Sequence, residues 1–332
     1  MRNSWKDSVF AVGFAVAAVA SFSLGGAEQA LAAQTLKWAH VYETSSPYHK
    51  WAEWAAEEIK KRSNGEFEIE VFPASSLGKE VDINEGLTLG TVDIIYTGQL
   101  FAGRSYGPIA IGGSPYMFRD FKHWAAYRDS DLFQDMAGGY RDATGNEVIT
   151  LTYYGERHVT SNKEIKAPTD MEALKIRVPN APLYKMFPEA VGANPTPIAF
   201  AEVYLALQQG VVDAQENPLP TIQFKKFYEV QDYITLTGHI TDALLTIVSG
   251  STWNSLSDDD KALLSGVLKD AAVNCTQDIV DAENSLVAWF REQGKTVNEV
   301  DRAAFRASVV PLHNGPAATW DKATYDKLQA IQ

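Results

Sequence analysis

The chain has 332 residues, of which 45% are hydrophobic and 21% charged; this excludes a disordered chain and allows two ordinary domains with substantial cores. A formal net charge of −13 disfavours nucleic acid and anionic membrane surfaces as partners. The single cysteine, Cys275, excludes an internal disulfide, so the core alone must hold the fold.

The first 32 residues differ from the rest. Arg2 and Lys6 precede the apolar run "VFAVGFAVAAVASFSL" (9–24), which is short for a membrane span, and Ala30 and Ala32 offer a small-x-small cleavage site. This predicts a secretory signal peptide over 1–32, with an uncleaved anchor helix as the alternative. No later segment is apolar enough to span a bilayer, so the mature protein is expected to be soluble and periplasmic.

From there the chain alternates strands and helices. "TLKWAHV" (35–41) alternates as a strand. Ser46 and Pro47 open a helix whose Tyr48, Trp51, Ala55 and Ile59 recur at helical spacing, and Asn64 and Gly65 stop it. "EFEIEVF" (66–72) predicts a strand, "KEVDINEGLTL" (79–89) a helix ended by Gly90, and "VDIIYT" (92–97) a third strand. The β-α-β-α-β order predicts a mostly parallel sheet flanked by helices. The plan repeats: "EVITLTYYG" (147–155) and "LKIRVP" (174–179) as strands, short helices in 181–192 and 201–210, and "VVDAQEN" (211–217) as a strand. Two units of similar plan predict two lobes with a cleft between them. Ser257, with Asp260 three residues on, then starts an apolar stripe of Leu263, Val267, Ala271, Cys275, Ile279, Ala282, Leu286 and Trp289. One helix over about 258–293 would be long enough to brace both lobes; two helices with a break is the alternative. Cys275 lies on this stripe and reads as a small buried hydrophobe.

Catalytic signatures are absent. There is no phosphate loop, no G-x-G-x-x-G, no G-x-S-x-G and no H-E-x-x-H. The six histidines show no metal-ligand spacing. Neither a cofactor nor a metal is expected, and a secreted hydrolase or lyase using Glu156 and His158 is the competing class. What remains is recognition chemistry. Arg157, Arg177 and Asn217 fall at or near the ends of three strands, where open sheets bind ligands. Arg177 interrupts an otherwise apolar alternation, and a guanidinium cannot lose its charge there, so burying it unpaired is costly. Together the three could grip one carboxylate, although each arginine alone could equally form a structural ion pair.

"SPYMFRDFKHW", "TSNKEIKAPTDMEALKIRVPNAP", "GANPTPIAFAEVYLALQQGVVDAQENPL" and "KFYEVQDYITLTGHI" resemble the solute-binding proteins of TRAP transporters, the DctP type. The resemblance covers nearly all of the mature chain. It implies a periplasmic two-lobe receptor, not an enzyme, that captures an organic acid and delivers it to a permease of one small and one large membrane subunit. Lobe I is then expected at 33–154 with 243–282, and lobe II at 155–242 with 283–332. A monomer is expected. The resemblance implies that Arg177 grips the ligand carboxylate, that Arg157 is a second acid-binding arginine, that Asn217 supports the carboxylate and that Phe200 stacks on the ligand. Asn180 is a further candidate. Lobe I, more variable, offers His40, Glu43, Glu80, Tyr96 and Gln99, and lobe II adds Tyr154 and His239. This mix of donors and acceptors favours a hexuronate-type sugar acid, with a C4-dicarboxylate or keto acid as the alternative.

Overall fold

The computed structural model describes residues 33–332; the expected signal peptide lies outside the described residues. Nine strands form one sheet: β1 (Gln34–Ala39), β2 (Phe67–Phe72), β3 (Ile94–Gly98), β4 (Glu147–Ser161), β5 (Lys175–Val178), β6 (Asn194–Pro197), β7 (Ala214–Pro218), β8 (Tyr233–Val248) and β9 (Thr296–Asn298). The order is β2-β1-β3-β8-β4-β7-β5-β6, with β9 on β8. Pairs within each outer part are parallel, and each antiparallel pair among the described strands involves β4 or β8. The two lobes therefore share one sheet. β4 and β8, of 15 and 16 residues, run through both and pair with each other along most of their length.

Two elements were longer or less regular than their sequences suggest. β4 continues six residues beyond 155 because Gly155 (φ +120°) absorbs a register shift between Tyr153 and Gly155 rather than ending the strand. β8 carries no alternation to read, since from His239 to Val248 every residue is buried. β6, "NPTP", is a proline-containing edge strand, where missing N–H groups cost no ladder bonds.

The lobes repeat one local design. "LKWAHV" (36–41) and "LKIRVP" (174–179) each build the inner strand, and "GTVD" (90–93) and "GVVD" (210–213) each turn a helix into the next strand. Gly90 and Gly210 both take left-handed φ, +70° and +67°, as helix stops require. The Asp93 and Asp213 amides donate to the Lys37 and Lys175 carbonyls at 3.0 and 2.8 Å. In this correspondence Arg177 of lobe II stands where lobe I has Ala39, so this strand position brings an arginine to the cleft from one lobe and not from the other.

Helix α1 (Pro47–Arg62) starts as its sequence predicts: the Ser46 side chain accepts from the His49 amide, and Pro47 occupies the first turn. Helix α2 (Glu80–Leu89) ends at Gly90. The long helix is unbroken over Asp258–Glu292, with Ser257 and Asp260 forming a reciprocal cap. Its 35 residues span about 52 Å. Its buried face includes Leu264, Val267, Leu268, Ala271, Cys275, Ile279, Leu286 and Phe290. This face packs on α1 and β4, and its end closes a second core with Val203, Leu207, Ile222 and Phe227. Among the described residues no helix is long and apolar enough to cross a membrane.

Candidate functional site

Where β4 and β8 pass between the lobes, a cavity of about 180 Å³ is lined from lobe I by Val41, Tyr42, Glu80, Gly98 and Phe101. From the other side it is lined by Tyr154, Arg157, Arg177, Asn180, Tyr184, Phe200 and Asn217, with Asp242 and Leu244 of β8. The carboxyl ends of β1, β3, β5 and β7 all point toward it, as the strand-end rule requires.

Arg177 is 2% exposed. Its Nε and Nη2 both donate to the Ile198 carbonyl, at 2.9 and 2.8 Å. That carbonyl fixes the guanidinium plane but supplies no negative charge. Nη1 has no partner although it is buried, which is costly unless a ligand satisfies it. Burial pulls the Arg177 pKa down to about 10, with Arg157 adding to the effect and Glu216 opposing it. The group stays cationic at neutral pH. The Phe200 ring centroid lies 6.0 Å from its guanidinium carbon.

Arg157 is in a different state. Its Nε and Nη2 fork onto the Glu216 carboxylate, Nη2 also donates to the Glu216 carbonyl at 2.8 Å, and Nη1 donates to Asp242 Oδ2 at 2.9 Å. Burial would raise Glu216, but Arg157 and His239 outweigh it and hold that carboxyl at about 2. Asp242 is pushed up to about 6 by burial, against the pull of Arg157. Arg157 is therefore already paired as a structural ion cluster, the alternative its sequence position left open.

Asn217 accepts from the Tyr154 hydroxyl at 3.2 Å and donates to Gln215 Oε1 at 2.7 Å, which presents its amide to the cavity beside Arg177. Across the cavity, Glu80 Oε1 accepts from the Gly98 amide (2.9 Å) and from Thr97 Oγ1 (3.0 Å). Burial raises Glu80 to about 7, although these two bonds oppose the rise. A Cβ at Gly98 would stand 3.0 Å from the Tyr184 hydroxyl, so this glycine lets lobe I approach lobe II. Charged bridges flank the mouth: Lys79 Nζ to Glu202 at 2.7 Å and Lys225 Nζ to Glu43 at 2.5 Å.

Seven of the residues singled out in the sequence line this cavity: Arg177, Arg157, Asn217, Phe200, Glu80, Tyr154 and Asn180. Five do not. His40 lies under the β1 end, its Nδ1 accepting from the Tyr42 amide and its Nε2 3.3 Å from His49 Nδ1; burial lowers it to about 3. The chain turns after β1, so Val41 and Tyr42 face the cavity instead. Glu43 is spent on Lys225 at the seam. Tyr96 sits two residues deeper in β3 than Gly98 and packs edge-on to Trp38, centroids 4.9 Å apart. Gln99 is fully buried against Gly112, whose added Cβ would collide with its amide. His239 lies behind the site, stacked on Phe187 at 4.0 Å and bonded to Glu216 at 3.1 Å. Through Glu216 it is linked to Arg157, which does line the cavity.

Asp242, Tyr42, Tyr184 and Lys79 were not singled out in the sequence, although all line the site. Asp242 carried a readable signal, a lone carboxylate inside the apolar run "HITDALLTIV", the mirror of the Arg177 argument. The competing acid–base pair is engaged elsewhere. Glu156 forks onto Arg302, both bonds at 2.8 Å, His158 accepts from the Gly238 amide, and neither lines the cavity. Among the described residues, no group of three or more metal-binding side chains converges.

The family described as bacterial extracellular solute-binding protein, family 7 (DctP), matches residues 38–318. The sialic acid-binding periplasmic protein SiaP of Vibrio cholerae is 35% identical over 295 residues, covering 89% of this chain and 92% of that protein. A TRAP periplasmic solute-binding protein of Polaromonas sp. JS666 bound to D-erythronate superposes with a TM-score of 0.85 at 31% identity, covering 90% of this chain and 99% of its own. One from Roseobacter denitrificans with bound L-galactonate gives 0.84 at 31% identity, covering 90% and 98%.

Proposed function

Since the chain belongs to the DctP family of solute-binding proteins, the receptors of TRAP transporters, we propose that it captures a hexuronate-type sugar acid in the periplasm and delivers it to a two-subunit membrane permease. It performs no chemistry on the acid. The observation that carries this reading is Arg177 Nη1: a buried, unpartnered cationic nitrogen at the cavity wall. A ligand carboxylate there would accept from Arg177 and from the Asn217 amide, which charge-assisted hydrogen bonding makes strong and directional. Neutral hexoses would leave Nη1 unpaired.

The far wall supports the sugar part. Glu80 uses Oε1 for lobe I and has a second oxygen for a ligand hydroxyl, while Tyr42, Tyr154, Tyr184 and Phe200 supply apolar faces for a sugar ring. The Polaromonas and Roseobacter relatives hold D-erythronate and L-galactonate, both polyhydroxy monoacids, which agrees with this arrangement. The lobes are taken to divide at 154/155 and 242/243, where the β4 register shift pairs Gly155 with Asp242.

A melting-temperature screen of uronates, aldonates, neutral hexoses and C4-dicarboxylates tests the proposal. An acid at 100 times its dissociation constant should add about 2.7 kcal/mol of stability. A shift with sugar acids and none with hexoses is expected. A shift with succinate or malate alone would overturn the sugar-acid reading.

A further inference from the structure

The charges around the cavity are unequal in a way the family assignment does not explain. Arg157 and Arg177 both reach it, yet only Arg177 has a nitrogen without a partner. The difference is made by Asp242. Glu216 takes Nε and Nη2 of Arg157, and Asp242 Oδ2 takes Nη1, the remaining corner of the guanidinium fork. Asp242 is itself 2% exposed and held from the other side, where Oδ1 accepts from the Ala243 amide at 2.8 Å.

We infer that Asp242 is a specificity residue of this receptor: by occupying Arg157 it leaves Arg177 as the single arginine open to a ligand carboxylate, and with Glu80 it closes the rest of the cavity to a second one. The inference rests on the proposed sugar-acid reading for the identity of the first carboxylate's partner. Besides its arginines the cavity is lined by three acidic side chains, Asp242, Glu80 and Asp82, of which Asp82 accepts from the Lys79 amide at the start of α2. Hydroxyl groups can donate to the buried Asp242 and Glu80 carboxylates, so a polyhydroxy monoacid satisfies the wall. A second carboxylate can only accept, and would be buried beside like charges, the repulsive element by which sites exclude a competitor. Phe101, Tyr184 and Leu244 supply no cation to offset it. Lys79, the one lysine lining the cavity, is already paired with Glu202.

The test compares matched acids that differ by one carboxylate: erythronate with meso-tartrate, galactonate with galactarate, and succinamate with succinate. Each is titrated calorimetrically at about pH 8 into the wild-type protein, Asp242→Asn and Asp242→Ser. For the wild type, each monoacid that binds should do so at least about tenfold more tightly than its diacid. In Asp242→Asn one Arg157 nitrogen meets a neutral amide, and in Asp242→Ser it is freed, so the ratio should fall at least about fivefold in either variant that melts cooperatively. A wild-type diacid binding within about twofold of its monoacid, or a ratio unchanged in a folded variant, overturns the role of Asp242. Binding of succinamate without any sugar acid would remove the sugar-acid reading and leave Asp242 in place. Binding of diacids alone, or of none of the six, removes both.

Discussion

Two arginines of one cavity differ because their donors go to different acceptors. Arg177 spends two donors on a neutral carbonyl and keeps its charge for whatever enters; Arg157 spends its donors on two carboxylates and is a structural group. Replacing Arg157 by alanine therefore leaves Glu216 and Asp242, both buried, without their cation. Breaking a buried pair from one side costs about 3–5 kcal/mol. The expected outcome is a lower urea midpoint for Arg157→Ala in the absence of any ligand, and an unchanged midpoint would contradict the assignment. The sequence placed both arginines at the site but could not distinguish them, because the acids that separate them come from β7 and β8. Glu216 was readable only as a neighbour of Asn217, and Asp242 lies 85 residues from Arg157. His40 and Gln99 show the opposite limit: polar residues near strand ends pointed to the cleft, yet the turn after β1 and the close approach of Gly112 place them in the core.

At the scale of elements, the crossing between lobes is held by the long helix. Around the β4 register shift two backbone amides are bound by its side chains: Thr276 Oγ1 accepts from the Tyr153 amide at 3.1 Å, and Glu283 Oε1 accepts from the Glu156 amide at 2.6 Å. Seven residues separate these acceptors, which places them on one helix face. Gly155 has no room for a side chain; an added Cβ would lie 2.6 Å from Pro218 Cβ and 2.8 Å from Glu283 Oε1. Burial pushes Glu283 up to about 7, partly offset by the Glu156 amide and the Tyr153 hydroxyl. A carboxyl raised in the folded state holds its proton more tightly there. Its contribution to stability is therefore full below the ordinary value of about 4.5 and is lost as pH rises through about 7. Glu283→Gln removes this dependence. Relative to the wild type, the variant should gain on the order of 1–2 kcal/mol between about pH 5 and 8, read as a difference of urea midpoints. Equal pH dependence in both proteins would contradict a half-buried, titrating Glu283 at the crossing. The long helix itself was legible to within a residue, since its cap, its apolar spacing and its lack of proline all agree. β8 was not legible, because a strand buried on both sides leaves no alternation.

In the whole molecule, a repeated β-α unit is written twice around two shared strands, and function comes from where the copies differ. Lobe I supplies Glu80, Tyr42 and Gly98; lobe II supplies Arg177 and Asn217; Ala39 stands where Arg177 would have its counterpart. Arg177 and Glu80 therefore reach the cavity from different lobes, in a chain whose net charge is −13. The repeat of plan was visible in the sequence, but the single shared sheet was not, because continuity through Gly155 contradicts the usual reading of a glycine at a strand end.

The central claim is that Arg177 anchors the carboxylate of an otherwise complete cavity. Calorimetric titration of the wild type and Arg177→Ala, with the sugar acid that gives the largest melting shift, tests it most directly. The wild type should bind one acid per chain with a dissociation constant on the order of micromolar or tighter. Arg177→Ala should melt cooperatively and lose about 3–5 kcal/mol of binding, at least a hundredfold in affinity; a loss of less than tenfold in the folded variant would contradict the account.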